Sequence, residues 1–178
     1  MRKKRCTWAG SEEIYIRYHD EEWGIPTHDD KKLFEMLVLE SFQAGLSWIT
    51  ILKKRKDFEK SFDNFDVVKV ANYDEEKINE LLDNEKIIRH KGKITSAINN
   101  ANVFIEIQNE FSSFDEYIWG FTNGKIIKAE YLTESELSKK ISKDLKKRGM
   151  KFVGPTIIYS YLESIGVIDN HQKDCFKY

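Results

Sequence analysis

Three groups of residues have the types and spacing to do chemistry, and the first is a single acid in apolar company. Glu40 follows Leu37, Val38 and Leu39 directly, in the stretch LVLESFQAGLSWIT that runs from Leu37 to Thr50. A carboxylate set against a core is costly unless something pairs with it. Aromatic residues gather in the same part of the sequence. Three of the 4 tryptophans, Trp8, Trp23 and Trp48, fall within the first 48 residues, and Tyr15 and Tyr18 join them. For one aromatic alone, a core stripe is the ordinary explanation. Tyr and Trp around a carboxylate also make a pocket for a flat cationic ring. Aromatic faces attract cations, and the acid adds charge and accepts ring N–H bonds.

The second group lies at the chain ends. The two cysteines are Cys6 and Cys175, with His19 thirteen residues after the first and His171 four residues before the second. Zinc takes four thiolate and imidazole ligands in a tetrahedron, and His171 and Cys175 at i and i+4 can face one ion from a single helical turn. Two unrelated thiols, or a disulfide, are the alternatives, and spacing alone leaves all three open because no compact CxxC pair is present. A cytoplasmic setting weighs against the disulfide. With four protein ligands a zinc ion here is structural, tying the N-terminal segment to the C-terminal one.

The third group is Leu145-Lys-Lys-Arg-Gly-Met-Lys-Phe-Val-Gly-Pro-Thr156, which reads as helix, glycine turn, helix. Gly149 suits a left-handed helix stop. Gly154 permits close approach to the free amides of a second helix, an end that accepts phosphate oxygens, with Thr156 in its first turn. Lys146, Lys147, Arg148 and Lys151 flank it. The pattern suits a helix-hairpin-helix that grips a nucleic-acid backbone without reading bases. An ordinary helical hairpin with solvated lysines is the equal alternative.

The elements that must position these groups are helices. With 2 Pro and 9 Gly in 178 residues, breakers are few. Apolar periodicity and caps predict helices over 31–42 behind Asp29 and Asp30, 48–62 behind Ser47, a turn from Asp66, a helix behind Asp74, and helices over 92–109 and 114–121. A helix over 133–148 opens with the box Thr133-Glu134-Ser135-Glu136, and a last one runs from Pro155 to Ser164. Gln43-Ala44-Gly45 bends the chain between Glu40 and Trp48. Strand alternation is nearly absent. The expectation is an all-α body of eight or so short helices, one domain spanning residues 1–178.

Composition bounds the function. Hydrophobic residues make up 40% and charged residues 33%, which excludes disorder. No apolar run approaches the roughly 18 residues of a membrane span, and the basic N-terminus leads into polar residues rather than a signal-peptide core, so a cytoplasmic protein is expected. The net charge of −1 says nothing for nucleic acid. Basic residues nevertheless cluster at Arg2–Arg5, Lys53–Lys56, Arg89–Lys93 and Lys139–Lys151, and a neutral chain can present one basic face.

Taken together, the sequence resembles the DNA-3-methyladenine glycosylase I family. The matching stretches are Cys6-Thr-Trp8, Tyr18-His-Asp-Glu-Glu-Trp-Gly-Ile-Pro26, Lys32-Leu-Phe-Glu-Met36, Leu39-Glu-Ser-Phe-Gln-Ala-Gly-Leu-Ser-Trp-Ile49, Ile87-Ile-Arg-His-Lys-Gly-Lys-Ile94 and Lys146 to Thr156, spread over nearly the whole chain. The resemblance implies an all-α helix-hairpin-helix glycosylase that excises 3-methyladenine from double-stranded alkylated DNA. It implies a structural Zn2+ held by Cys6, His19, His171 and Cys175. It also implies a base pocket of Tyr18, Glu40 and Trp48 walled by Trp8 and Trp23, with Glu40 the residue that favours a cationic base. By the same resemblance Lys147, Arg148, Gly149, Lys151, Gly154 and Thr156 face the DNA backbone. Many relatives of this superfamily carry an aspartate after the hairpin. That region here is Gly166-Val-Ile-Asp-Asn-His171, and Asp169 is not assigned that role. No lysine stands as an obvious Schiff-base nucleophile, so a monofunctional enzyme that leaves an abasic site is expected; a monomer is the plain expectation for a single domain. The rival is a DNA- or nucleobase-binding module of the same fold without catalysis.

Overall fold

The computed structural model describes residues 3–130 and 132–178, so Arg2 of the first basic cluster lies outside the described residues. Among these, nine α-helices form: α1 (Glu13–Glu21), α2 (Asp30–Gln43), α3 (Trp48–Ser61), α4 (Val67–Ala71), α5 (Glu75–Asp83), α6 (Lys91–Phe111), α7 (Phe114–Gly120), α8 (Glu136–Lys147) and α9 (Pro155–Ser164). The all-α expectation has one small exception. The two-residue strands β1 (Ile127–Lys128) and β2 (Ile168–Asp169) pair in parallel, Ile127 opposite Ile168.

Most helix starts follow from side-chain caps that satisfy the orphan first-turn amides. Asp29 accepts from the Lys32 amide, Asp66 from Lys69 and Asp74 from Lys77. Asp30 caps a different helix: its carboxylate accepts from the Phe114 and Asp115 amides at the start of α7. The box expected at Thr133 sits two residues later. Ser135 is extended and accepts from the Ser138 amide, while the Ser138 hydroxyl accepts from Ser135, so α8 begins at Glu136. His171 and Cys175 do not share a helical turn. The chain after β2 runs in turns, with the Cys175 amide on the Gln172 carbonyl.

The core is organised around α2. Met36 to Phe42 are all buried, so the second half of this helix is enclosed on every side, with α3, α6, α7 and α9 packed around α2. Glu40 lies within that run at 3% exposure. The two chain ends meet directly: the Phe176 amide reaches the Lys4 carbonyl, and Gln172 accepts from the Thr7 amide and donates to its hydroxyl.

Candidate active site and metal centre

Glu40, Tyr18, Trp48, Trp8 and Trp23 line one cavity of about 300 Å³. That is the lower end of the usual range for small-ligand sites, roughly 300–1,000 Å³. Helix α1 supplies Tyr18, α2 supplies Glu40, and Trp48 opens α3 after the bend at Gln43 to Leu46. Gly45 makes that bend with φ +78°, a left-handed conformation glycine adopts without strain. The Tyr18 and Trp48 rings lie 5.5 Å apart. Trp8 packs edge-on to Trp23 at 4.8 Å and to Tyr15 at 5.2 Å, closing an aromatic wall.

Two polar atoms in this cavity lack partners among the described residues. Glu40 Oε2 and Trp48 Nε1 are both buried without a hydrogen bond. An unmade bond at a buried polar atom costs about 1–3 kcal/mol, so two residues of the cavity lining carry an uncompensated polar atom.

A second acid joins the cavity. Glu163, on α9, lines it with Asn170, whose amide donates to Glu163 Oε1 at 2.7 Å. Burial pushes the Glu163 carboxyl up to about 7. Burial also pushes Glu40 well above the usual carboxylate range, and the charge of Glu163 pushes it further. Sequence reasoning missed Glu163, although the signal was the one used for Glu40: a lone acid in an apolar helix, IIYSYLES.

The terminal ligands largely converge. The ligand atoms of Cys6, His19 and Cys175 lie within 4.8 Å of one another, all buried. Cys175 Sγ stands 3.5 Å from His19 Nε2. Ligands on a tetrahedron with bonds of about 2.0–2.3 Å stand roughly 3.3–3.8 Å apart. His171 is a neighbour rather than a member of that tight trio, its ring 5.4 Å from His19. Its Nε2 is buried and has no hydrogen-bond partner among the described residues. Each histidine is oriented by a carboxylate on Nδ1, Asp20 at 2.8 Å and Asp169 at 2.7 Å, the arrangement that turns Nε2 toward a metal. Arg5 holds Asp20 down at about 2, and burial pushes the Cys6 thiol up to about 12. Both cysteines are free thiols. The donor set, two sulfurs and two aimed imidazole nitrogens, suits zinc.

The hairpin also forms. At the end of α8 the Met150 amide bonds the Leu145 carbonyl and the Gly149 amide bonds Lys146, a Schellman stop with Gly149 at φ +100°. Gly154 caps α9 with no side chain over its first amides, and Thr156 is in the opening turn. Lys146, Lys147 and Lys151 form no ion pair among the described residues. Arg148 is occupied: its guanidinium pairs with Glu110 at 2.6 Å and Asp144 at 2.8 Å, and lies over Phe111 and Tyr117. Much of the other predicted basic surface is paired too, Lys53 with Glu12 and Arg55 with Glu22 and Glu35.

Comparison with known proteins gives one consistent result. A family model described as methyladenine glycosylase matches residues 8–178. DNA-3-methyladenine glycosylase 1 of Escherichia coli (strain K12) is 44% identical over 98% of this chain and 97% of its own length. A crystal structure of a 3-methyladenine DNA glycosylase I superposes with a TM-score of 0.94 at 42% identity, covering 97% of this chain and 98% of that one. The Staphylococcus aureus enzyme, solved to explain its recognition of 3-methyladenine, gives 0.93 at 38% identity, covering 97% and 95%. With a family model spanning residues 8–178 and relatives 42–44% identical over nearly the whole length, this chain belongs to the methyladenine glycosylase family.

Proposed function

We propose that this protein is a monofunctional DNA-3-methyladenine glycosylase. It hydrolyses the N-glycosidic bond of 3-methyladenine in alkylated double-stranded DNA, leaves an abasic site and releases the base. The observation that carries this reading is the buried Glu40 with an unpartnered oxygen in a cavity walled by Tyr18, Trp48, Trp8 and Trp23.

Methylation at N3 makes the adenine a cation, so its bond to the sugar is already weak and little acid catalysis is needed. The enzyme must unstack the nucleotide and hold the base, a cost of a few kcal/mol that damage reduces. Trp48 stacks on the ring, while Glu40 and Tyr18 bond its polar edge. The ring's positive charge favours the ionised form of Glu40, which burial otherwise disfavours. Neutral adenine offers no such compensation, and this difference is the selectivity. Water then takes the place of the base at C1′ and gives up a proton to solvent, while the base leaves neutral with the bonding electron pair.

Zinc bound by Cys6, His19, His171 and Cys175 has a structural role, holding the two chain ends together. Trp8 and Trp23 pack on these histidines, Trp8 5.3 Å from His19 and Trp23 4.7 Å from His171, so the metal ligands brace the wall of the base pocket. The amides after Gly154 and the free lysines Lys147 and Lys151 take the DNA backbone, with Gly149 shaping the turn. Arg148 contributes to this surface by pinning the end of α8. No helix among the described residues is long and apolar enough to cross a membrane.

The test incubates alkylated DNA with the wild type and Glu40→Gln and quantifies released bases. The variant keeps the size of the side chain and loses its charge, so base release should fall about a hundredfold. Full activity in the variant would remove Glu40 from the mechanism. Tight DNA binding by the wild type with no base released would point instead to a non-catalytic binding module.

A further inference from the structure

The segment Ile87-Ile-Arg-His-Lys-Gly-Lys-Ile94 does not line the pocket, yet it opens α6 with an unusual set of contacts. Lys93 is 7% exposed and has no ion pair among the described residues. Its ammonium donates to the Phe42 carbonyl at 2.8 Å and the Ala44 carbonyl at 2.6 Å. These are the last carbonyls of α2 and its C-cap, groups a helix end leaves unsatisfied and that carry the negative end of its dipole. The same short stretch of chain, from Glu40 through Gln43 to Trp48, forms the cavity. A buried cation therefore fixes the bend that sets Glu40 and Trp48 against each other.

Two turns further along, α6 holds the hairpin in the same way. Asn100 is 3% exposed; it donates to the Lys151 carbonyl at 2.8 Å and accepts from the Lys151 amide at 2.9 Å. Asn99 donates to the Gly149 carbonyl at 2.8 Å. His90 caps α6 through its Nδ1, and its ring lies 6.2 Å from Phe152 of the hairpin loop. Phe152 is a non-glycine residue at φ +55°, a conformation that persists when its surroundings enforce it.

We propose that the first half of α6 is a bracket that positions the base pocket and the DNA-gripping hairpin relative to one another. Lys93 is the positioning residue for the pocket bend and Asn100 the positioning residue for the hairpin loop. Neither touches the base or the scissile bond. Their effect is to hold two loops, far apart in sequence, at one fixed spacing, so that a nucleotide extruded from a duplex on the hairpin enters the cavity. This rests on the glycosylase reading given above.

The two clamps predict opposite defects, which general destabilisation would not produce. The experiment reads two affinities on the intact protein: free 3-methyladenine by tryptophan fluorescence, and an unmodified DNA duplex by anisotropy. Lys93→Met should weaken base binding and slow base release by about tenfold, since misplacing a site by a fraction of an ångström has costs of that order, with duplex affinity within about twofold of wild type. Asn100→Ala should weaken duplex binding by about fivefold, about the net worth of one of the two backbone bonds it loses, with free-base affinity within about twofold. Equal losses in both readouts for both variants, or no loss in either, would overturn the bracket. If Lys93→Met does not fold, Lys93→Arg, which keeps donors but seats them further out, is read by the same base-binding measurement, and unchanged affinity counts against the role. Wild-type base release is measured alongside. If it is absent, the glycosylase reading fails, while the split between the two affinities still decides the bracket.

Discussion

Replacing Glu163 by Gln should make this protein more stable, and increasingly so as pH rises. Glu163 lies in the cavity with Glu40 and has one hydrogen bond from Asn170, which the amide of Gln can still accept. The groups facing it are Glu40 on α2, Tyr18 on α1 and Tyr159 on α9, and its charge pushes all three upward. Burial raises the Glu163 carboxyl from 4.5 to about 7. The folded protein therefore keeps this proton to a higher pH than the unfolded chain does. Between those two values the folded state binds more protons, so raising the pH destabilises it. Below the unfolded value of 4.5 the penalty is absent, and above about 7 it is complete. At 1.36 kcal/mol per pKa unit, the full penalty is roughly 3 kcal/mol. For a chain of this size each kcal/mol moves Tm by about 2–4 °C. Glu163→Gln should raise Tm by about 6–12 °C at about pH 8, and by about 3 °C or less at about pH 5. Thermal unfolding of both proteins at the two pH values checks this. An equal gain at both would show that Glu163 carries no desolvation penalty. A loss of stability at the higher pH would show that its charge is favourably paired, and the two-acid account of the cavity would fall.

Other perturbations test the remaining parts. Gly24→Ala places a methyl carbon 2.6 Å from the His171 ring at a backbone φ of +74°, so it should displace that ring and lower the zinc content measured by metal analysis. Cys175→Ser should release zinc and, because Trp8 and Trp23 pack on the histidines, weaken binding of free 3-methyladenine in a fluorescence titration. Gly166→Ala meets the Ile25–Pro26 backbone at 2.4 Å and a φ of +79°, and should cost more than about 4 kcal/mol in denaturant unfolding. Charge reversal at Lys147 should flatten the salt dependence of DNA affinity by about one phosphate's worth. Arg148→Ala should act mainly on stability, since its guanidinium is already held by Glu110 and Asp144.

What was legible in the sequence had local causes. Caps such as Asp29, Asp66 and Asp74 announce themselves because the amides they satisfy are three residues away. The hairpin stop was readable because a glycine must supply the left-handed turn at position 149. Helix α1 was not anticipated, although it carries Tyr18 and His19. Its spacing Ile14, Tyr15, Tyr18 is helical, but the aromatic residues read as pocket lining and not as a helix. Lys93 and Asn100 were invisible for another reason. Their partners are backbone atoms 49–51 residues away, which leave no mark on side-chain pattern. Arg148 read as a DNA contact because Glu110, 38 residues upstream, becomes its partner only through the fold.

The pocket is best understood through what it leaves unmade. A helical run enclosed on every side ordinarily carries no acid, yet the 36–42 run of α2 delivers Glu40, and α9 brings Glu163 to the same space. Two like charges cannot both ionise there cheaply, and Glu40 Oε2 and Trp48 Nε1 keep no partner among the described residues. The folding energy of the core sustains this strain; the free pocket is the poorer state. A flat cation carrying a donor relieves the acids' defects in one step: it compensates their charge and bonds Oε2. A neutral purine relieves only the hydrogen-bonding defects. On the glycosylase reading proposed above, selectivity arises less from a shape that excludes adenine than from two buried acids that only a cationic base compensates.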